Sequence, residues 1–188
     1  VYQKEFNSYW NSPVGYIFLI IFLVIAVGFF FGSAQFFTKN QASLRDFFAL
    51  LPTIFILFIP AVSMRLWAEE RAKGTQEVLL TLPIRDSEAV LGKYFAAVIF
   101  IGVALLMSGT LPLTLHFIGQ PDWGPIIGGY LGALLMGAAF LAIGIFLSAL
   151  TNNQILAFLG ALLVSFIFWV FSWELFTSLL TESVAKFS

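Results

Sequence analysis

Residues 123–173 contain no Asp, Glu, Lys, Arg or His, an uncharged run of fifty-one positions that fixes the solvent in which the chain folds. A helix in water needs a polar face, and this run offers none. About 20 apolar residues cross the hydrocarbon core of a bilayer, so the run is too long for one crossing and long enough for two. Its one polar punctuation, Thr151-Asn152-Asn153, predicts a tight turn between two membrane helices. Helices are expected because hydrocarbon leaves every backbone N–H and C=O to be satisfied within the segment itself.

The rest of the chain agrees. Of 188 residues, 60% are hydrophobic and only 10% charged, whereas water-soluble domains carry about 25% charged residues. A soluble domain is thereby excluded, and the chain reads as an all-α polytopic membrane protein. The net charge of -1 says little about partners, because the charges are gathered into a few short segments. The absence of cysteine excludes disulfides, cysteine-ligated zinc and thiol catalysis.

Five transmembrane helices are predicted, over residues 14–31, 47–64, 94–115, 125–150 and 154–176. The first is too long for a signal-peptide core and lacks a basic leader with a cleavage pattern. The second carries Pro52 and Pro60, which membrane helices tolerate better than soluble ones. Basic residues in short loops are retained on the cytoplasmic side. Arg65, Arg71, Lys73, Arg85 and Lys93 lie between spans two and three, against Lys39 and Arg45 between spans one and two. The former loop, the amino terminus and the Thr151-Asn152-Asn153 turn are therefore expected inside, with Asp122 and the carboxyl end outside. Tyr2, Phe6, Tyr9 and Trp10 fall at i, i+4, i+7 and i+8, which predicts an interfacial helix over residues 1–11.

The most informative polar stretch is residues 65–93, RLWAEERAKGTQEVLLTLPIRDSEAVLGK. Helix connections usually take 2 to 8 residues, so a segment of this length does more than connect. Glu69, Glu70 and Arg71 extend the second span as a solvated helix that Gly74 can interrupt. Thr75 is a plausible N-cap of a short helix, Glu77 lies in its first turn and Pro83 closes it. Val78, Leu79, Leu80 and Leu82 on that element need an apolar partner, either the bilayer surface or a protein groove. The flanking charges are of both signs rather than basic, which favours the groove. Asp86 or Ser87 then caps the helix leading through Lys93 into span three.

These residues carry a resemblance. The Lys-Glu-Phe-x-Ser-Tyr-x-x-Ser-Pro start, with Lys4 first and Pro13 last, the Glu69-Glu70-Arg71 and Gly74-Thr75-x-Glu77 run, Leu80-x-Leu82-Pro83 and Gly92-Lys93 together resemble the permease subunits of ABC-2 type transporters. The closest likeness is to the gliding-motility (Gld) type branch. The resemblance implies that residues 74–83 form a coupling helix seated in a cleft of a cytoplasmic ATPase subunit. ATPase coupling would then fall to Glu69, Glu70, Arg71, Gly74, Thr75, Glu77, Val78, Leu79, Leu80, Leu82 and Pro83. It also implies a multi-pass protein of the bacterial cytoplasmic (inner) membrane, paired with a second permease copy or a homologous permease. Family members usually have six spans, so residues 1–188 are expected to be a single ABC-2 type transmembrane domain lacking its carboxyl-terminal sixth span.

Catalytic chemistry finds no footing in the sequence. The pair Gly92-Lys93 is followed by Tyr94 and lacks the glycine-rich approach of a phosphate-binding loop, so hydrolysis, with its ATP and magnesium, is expected in the partner. His116 is the only histidine, and one histidine without a carboxylate cluster holds no metal. Membrane lipid is an expected partner and nucleic acid is not. Gly128, Gly132 and Gly137 are candidates for close helix packing, within the subunit or against a second one. No charge within the apolar runs marks an ion route. The leading expectation is a non-enzymatic permease subunit that couples a partner's ATP hydrolysis to export or mechanical work. The alternative is a structural or assembly subunit that relays ATPase motion to an extracellular machine and transports nothing.

Overall fold

The computed structural model describes residues 10–11, 13–33, 44–75, 85–119 and 121–171. Among these there are helices and no strands: α1 (Pro13–Ser33), α2 (Arg45–Ser63), α3 (Arg65–Ala72), α4 (Asp86–Met107), α5 (Thr110–Ile118), α6 (Trp123–Leu150) and α7 (Gln154–Phe171). Five helical stretches are long and apolar enough to span a membrane: Gly15–Gly32, Arg45–Ala72, Asp86–Phe117, Trp123–Leu150 and Gln154–Phe171. The polar punctuation between the last two forms a turn as expected. Asn153 N donates to Thr151 Oγ1 at 3.1 Å, and Asn153 Oδ1 then caps α7 by accepting from Ile155 N at 2.9 Å.

Two spans differ from the simplest reading. The second does not stop at Met64: α2 passes through that residue into α3, giving one helical stretch from Arg45 to Ala72. Pro60 cannot donate a backbone hydrogen bond, but its carbonyl accepts from Met64 N at 2.9 Å and from Ser63 Oγ at 3.3 Å, which carries the chain across the junction. The third is likewise one stretch, Asp86–Phe117, but with a turn within it. Pro112 has no N–H for the Ser108 carbonyl, which accepts instead from Leu111 N at 2.9 Å in a tighter turn. The turn at Ser108-Gly109 separates α4 from α5.

The centre of the bundle is α2, which packs on α1, α6 and α7. Against α1 it runs antiparallel, with Phe22 tilted over Phe58 at 5.0 Å between ring centroids and Phe30 edge-on to Phe47 at 6.2 Å. Against α6 it runs parallel: Phe48 lies beside Gly129, Phe55 beside Gly137 and Ser63 beside Gly144. Parallel packing is what alternating crossings require of the second and fourth spans. The fully buried phenylalanines Phe22, Phe30, Phe47, Phe55 and Phe100 make this interior aromatic. Lipid-facing phenylalanine is the ordinary expectation, and here it holds only for others, such as Phe117 and Phe168.

Around this core the surface of the spans is apolar, with Leu106, Leu135, Ile155 and Leu163 all exposed. The bilayer is the solvent for that surface. Of the expected amino-terminal interfacial helix, Tyr2, Phe6 and Tyr9 lie outside the described residues. Trp10 is half-buried, edge-on to Tyr16 at 6.3 Å and to Phe100 at 6.5 Å. Residues 172–188, with the end of the expected fifth span, also lie outside the described residues.

Candidate functional site at the polar end of the bundle

The charged side chains of α3 and α4 gather at the end of the bundle where α3 emerges from the apolar part of the second span. Two kinds of ion pair occur there. Glu69 is shared along its own helix, accepting from Arg65 Nε at 3.0 Å and from Lys73 Nζ at 2.6 Å. Lys73 is exposed and Arg65 half-buried, and both are four residues away, the spacing that places side chains on one helical face. Glu70 instead reaches across to α4, where its Oε1 lies 2.8 Å from Lys93 Nζ.

That second pair is shielded from water, Lys93 more than Glu70. The Lys93 side chain is 1% exposed and that of Glu70 19%. Lys93 Nζ also sits 5.0 Å from the centroid of the buried Trp67 ring, within the range of a cation–π attraction. The other carboxylate oxygen, Glu70 Oε2, is buried without a hydrogen-bond partner. Removing one member of a buried ion pair generally costs about 3–5 kcal/mol.

The base of α3 is held from a third direction. Here Trp67 N and Ala68 N both donate to Ser148 Oγ of α6, at 3.2 and 3.1 Å, while Ser148 donates to Met64 O at 3.0 Å. Ser148 thus ties the start of α3 to α6. At its far end α3 closes with Lys73 N on Glu69 O at 3.0 Å, and Gly74 then takes φ +68°, the left-handed conformation that suits glycine after a helix. Thr75 Oγ1 donates back to Glu70 O at 3.3 Å. On the other side of the segment, Arg85 and not Asp86 or Ser87 is the N-cap of α4, because Glu88 Oε2 accepts from Arg85 N at 3.2 Å.

Of the residues singled out from sequence, Glu69, Glu70, Arg71, Gly74 and Thr75 therefore lie on one stem of the segment. Glu77, Val78, Leu79, Leu80, Leu82 and Pro83 lie outside the described residues. Trp67, Lys93 and Ser148 join this site without having been assigned to it. Ser148 was visible only as one hydroxyl in an uncharged run, and Lys93 as a basic residue at the edge of a span. Beside Trp67 an apolar groove of about 610 Å³ opens between α3, α4 and α6, lined also by Val90, Leu91, Tyr94, Ile145 and Phe146.

The glycine candidates divide. A β-carbon at Gly137 would meet Phe55 at 3.2 Å and Ile101 at 3.3 Å, whereas Gly128 and Gly132 face open space. The tightest helix approaches on α6 involve Gly129 and Gly144; a β-carbon at Gly144 would run into the Ser63 hydroxyl. His116 neighbours the Trp123 ring at 5.8 Å. No group of three metal-ligating side chains occurs among the described residues.

Five spans, a polar end organised around a two-stemmed segment and an apolar outer surface agree with the comparison by sequence. The sequence model of the ABC-2 family transporter protein matches residues 1–187. This chain belongs to the ABC-2 transporter family. No curated protein and no solved structure matches it. Membership in the ABC-2 family makes the chain a membrane component of an ABC transporter and implies association with an ATP-binding subunit.

Proposed function

We propose that this ABC-2 family chain is a permease subunit whose residues 65–93 face the cytoplasm and dock an ATPase, which binds ATP and magnesium and performs all hydrolysis. Within the family the reading is the gliding-motility type branch, in a bacterial inner membrane, with two permease subunits, identical or homologous, over two ATPase subunits. Closing of the ATPase pair on ATP would move the docked segments as levers and shift the spans between inward and outward arrangements.

The observation that carries this reading is the Glu70–Lys93 contact. It ties the two stems of residues 65–93 to each other at 2.8 Å, at one end of the bundle. Between those stems the sequence carries Val78, Leu79, Leu80 and Leu82, apolar side chains that need a partner. Fully burying one leucine is worth about 1.5–3 kcal/mol. Leu80→Asp together with Leu82→Asp should therefore weaken ATPase binding by orders of magnitude while membrane insertion stays intact. Copurification of the ATPase with the tagged double variant checks this, and undiminished recovery would remove the docking role from these leucines.

A further inference from the structure

We propose that the Glu70–Lys93 ion pair is a clamp that makes the two stems of residues 65–93 move as one body, so that a load on the segment between them reaches spans two and three together. The inference rests on the docking reading of that segment, and it assigns to two residues a positioning role that the apolar docking face does not itself require.

The argument begins with where the two residues lie. Glu70 is two residues before the end of α3, the continuation of the second span, and Lys93 is in the third turn of α4, the start of the third. Lys93 engages α3 at two points one turn apart, the Glu70 carboxylate at 2.8 Å and the Trp67 ring at 5.0 Å. Two contacts along one helix resist rotation of α3 about its own axis as well as its withdrawal from α4.

Burial makes the contact stiff. An exposed pair exchanges readily with water and holds its partners loosely, as Glu69 does with Lys73, which is 64% exposed. Lys93, at 1%, is shut off from water, so solvent does not ease its separation from Glu70. Glu69 binds only along α3 and links nothing across the segment. Ser148 adds a second tie, from the first turn of α3 to α6. Between the two ties α3 is fixed to both neighbouring spans.

The cysteine-free chain allows a direct test. Nitroxides placed by Ala72→Cys and Ser87→Cys, both exposed positions, report the separation of the stems in the permease alone, reconstituted in lipid nanodiscs. The wild-type background should give one narrow distance distribution. Glu70→Gln/Lys93→Met removes both charges of the pair together, and in a double variant that keeps the parent's circular dichroism the distribution should at least double in width; Lys93→Arg, which keeps the charge and the ring contact, should stay narrow. In the complex with its ATPase, the ATP-dependent change in labelling rate of Phe117→Cys, at the far end of the third span, should fall at least fivefold in the double variant per mole of bound ATPase. A purely structural pair predicts no such fall once the fold is intact. An unchanged distribution in the double variant overturns the clamp. Broadening in a permease that binds no ATPase would uphold the clamp and overturn the docking reading.

Discussion

A single hydroxyl shows how much of this fold rests on individual side chains. Ser148 satisfies two amides at the base of α3 and one carbonyl at Met64, all contributed by the opposite helix. Ser148→Ala would leave buried donors without an acceptor, and a loss of about 1–3 kcal/mol in stability is expected, read as a lower denaturation midpoint of the purified protein in detergent. An unchanged midpoint would mean that the three contacts contribute nothing net. Gly144 and Gly132 form a matched pair of tests on one helix. A β-carbon at Gly144 meets Ser63, and at Gly132 it meets nothing. Gly144→Ala should therefore destabilise by about 1–3 kcal/mol through overpacking, while Gly132→Ala stays within about 0.5 kcal/mol of the parent. Spacing in the sequence pointed to Gly128, Gly132 and Gly137, since it shows which small residues share a face but not which face meets a neighbour. Lys93 was obscured for a different reason. A lysine at the edge of a span ordinarily extends its amine into water, and only the fold supplies Glu70 and Trp67 to hold it inside.

At the scale of elements, the apolar runs announced the spans because hydrocarbon imposes a minimum length and tolerates few charges. The Thr151-Asn152-Asn153 turn was legible for the complementary reason, being the one polar interruption in an uncharged stretch. The turn in the third span was not read, although Ser108, Gly109 and Pro112 all stand in the sequence there. Apolar length dominated the reading, and a proline near the outer end of a membrane helix does not by itself say whether the helix bends or stops. That turn is stitched by Ser108, whose hydroxyl lies 2.7 Å from Leu105 O and 3.2 Å from Tyr130 Oη on α6. Tyr130→Phe should cost about 0.5–1.5 kcal/mol in the same denaturation measurement, the net worth of one hydrogen bond. No loss would show that the Leu105 carbonyl alone suffices for Ser108. The aromatic interior was equally hidden. In helices that are apolar on every side, periodicity cannot separate phenylalanines that face α2 from those that face lipid.

For the whole molecule, the directions of the helices constrain the topology. Second and fourth spans run parallel, and the base of α3 is bonded to the last turns of α6, so residues 64–75 and the turn after Leu150 share one end of the bundle. The proposed function puts that end in the cytoplasm, where the excess of basic residues belongs. In intact cells an impermeant thiol reagent should then label Asp122→Cys and spare Lys73→Cys; labelling at position 73 from outside would invert the topology and take the ATPase away from this segment. The central claim, that residues 65–93 receive the ATPase, is tested most directly by a photo-crosslinking amino acid at position 79, with position 131 on the exposed apolar face of α6 as the control. In membranes containing the assembled transporter, position 79 should yield an adduct with the ATP-binding subunit and position 131 none. An ATPase that copurifies with the permease yet gives no adduct from position 79, or gives one equally from position 131, would contradict the account.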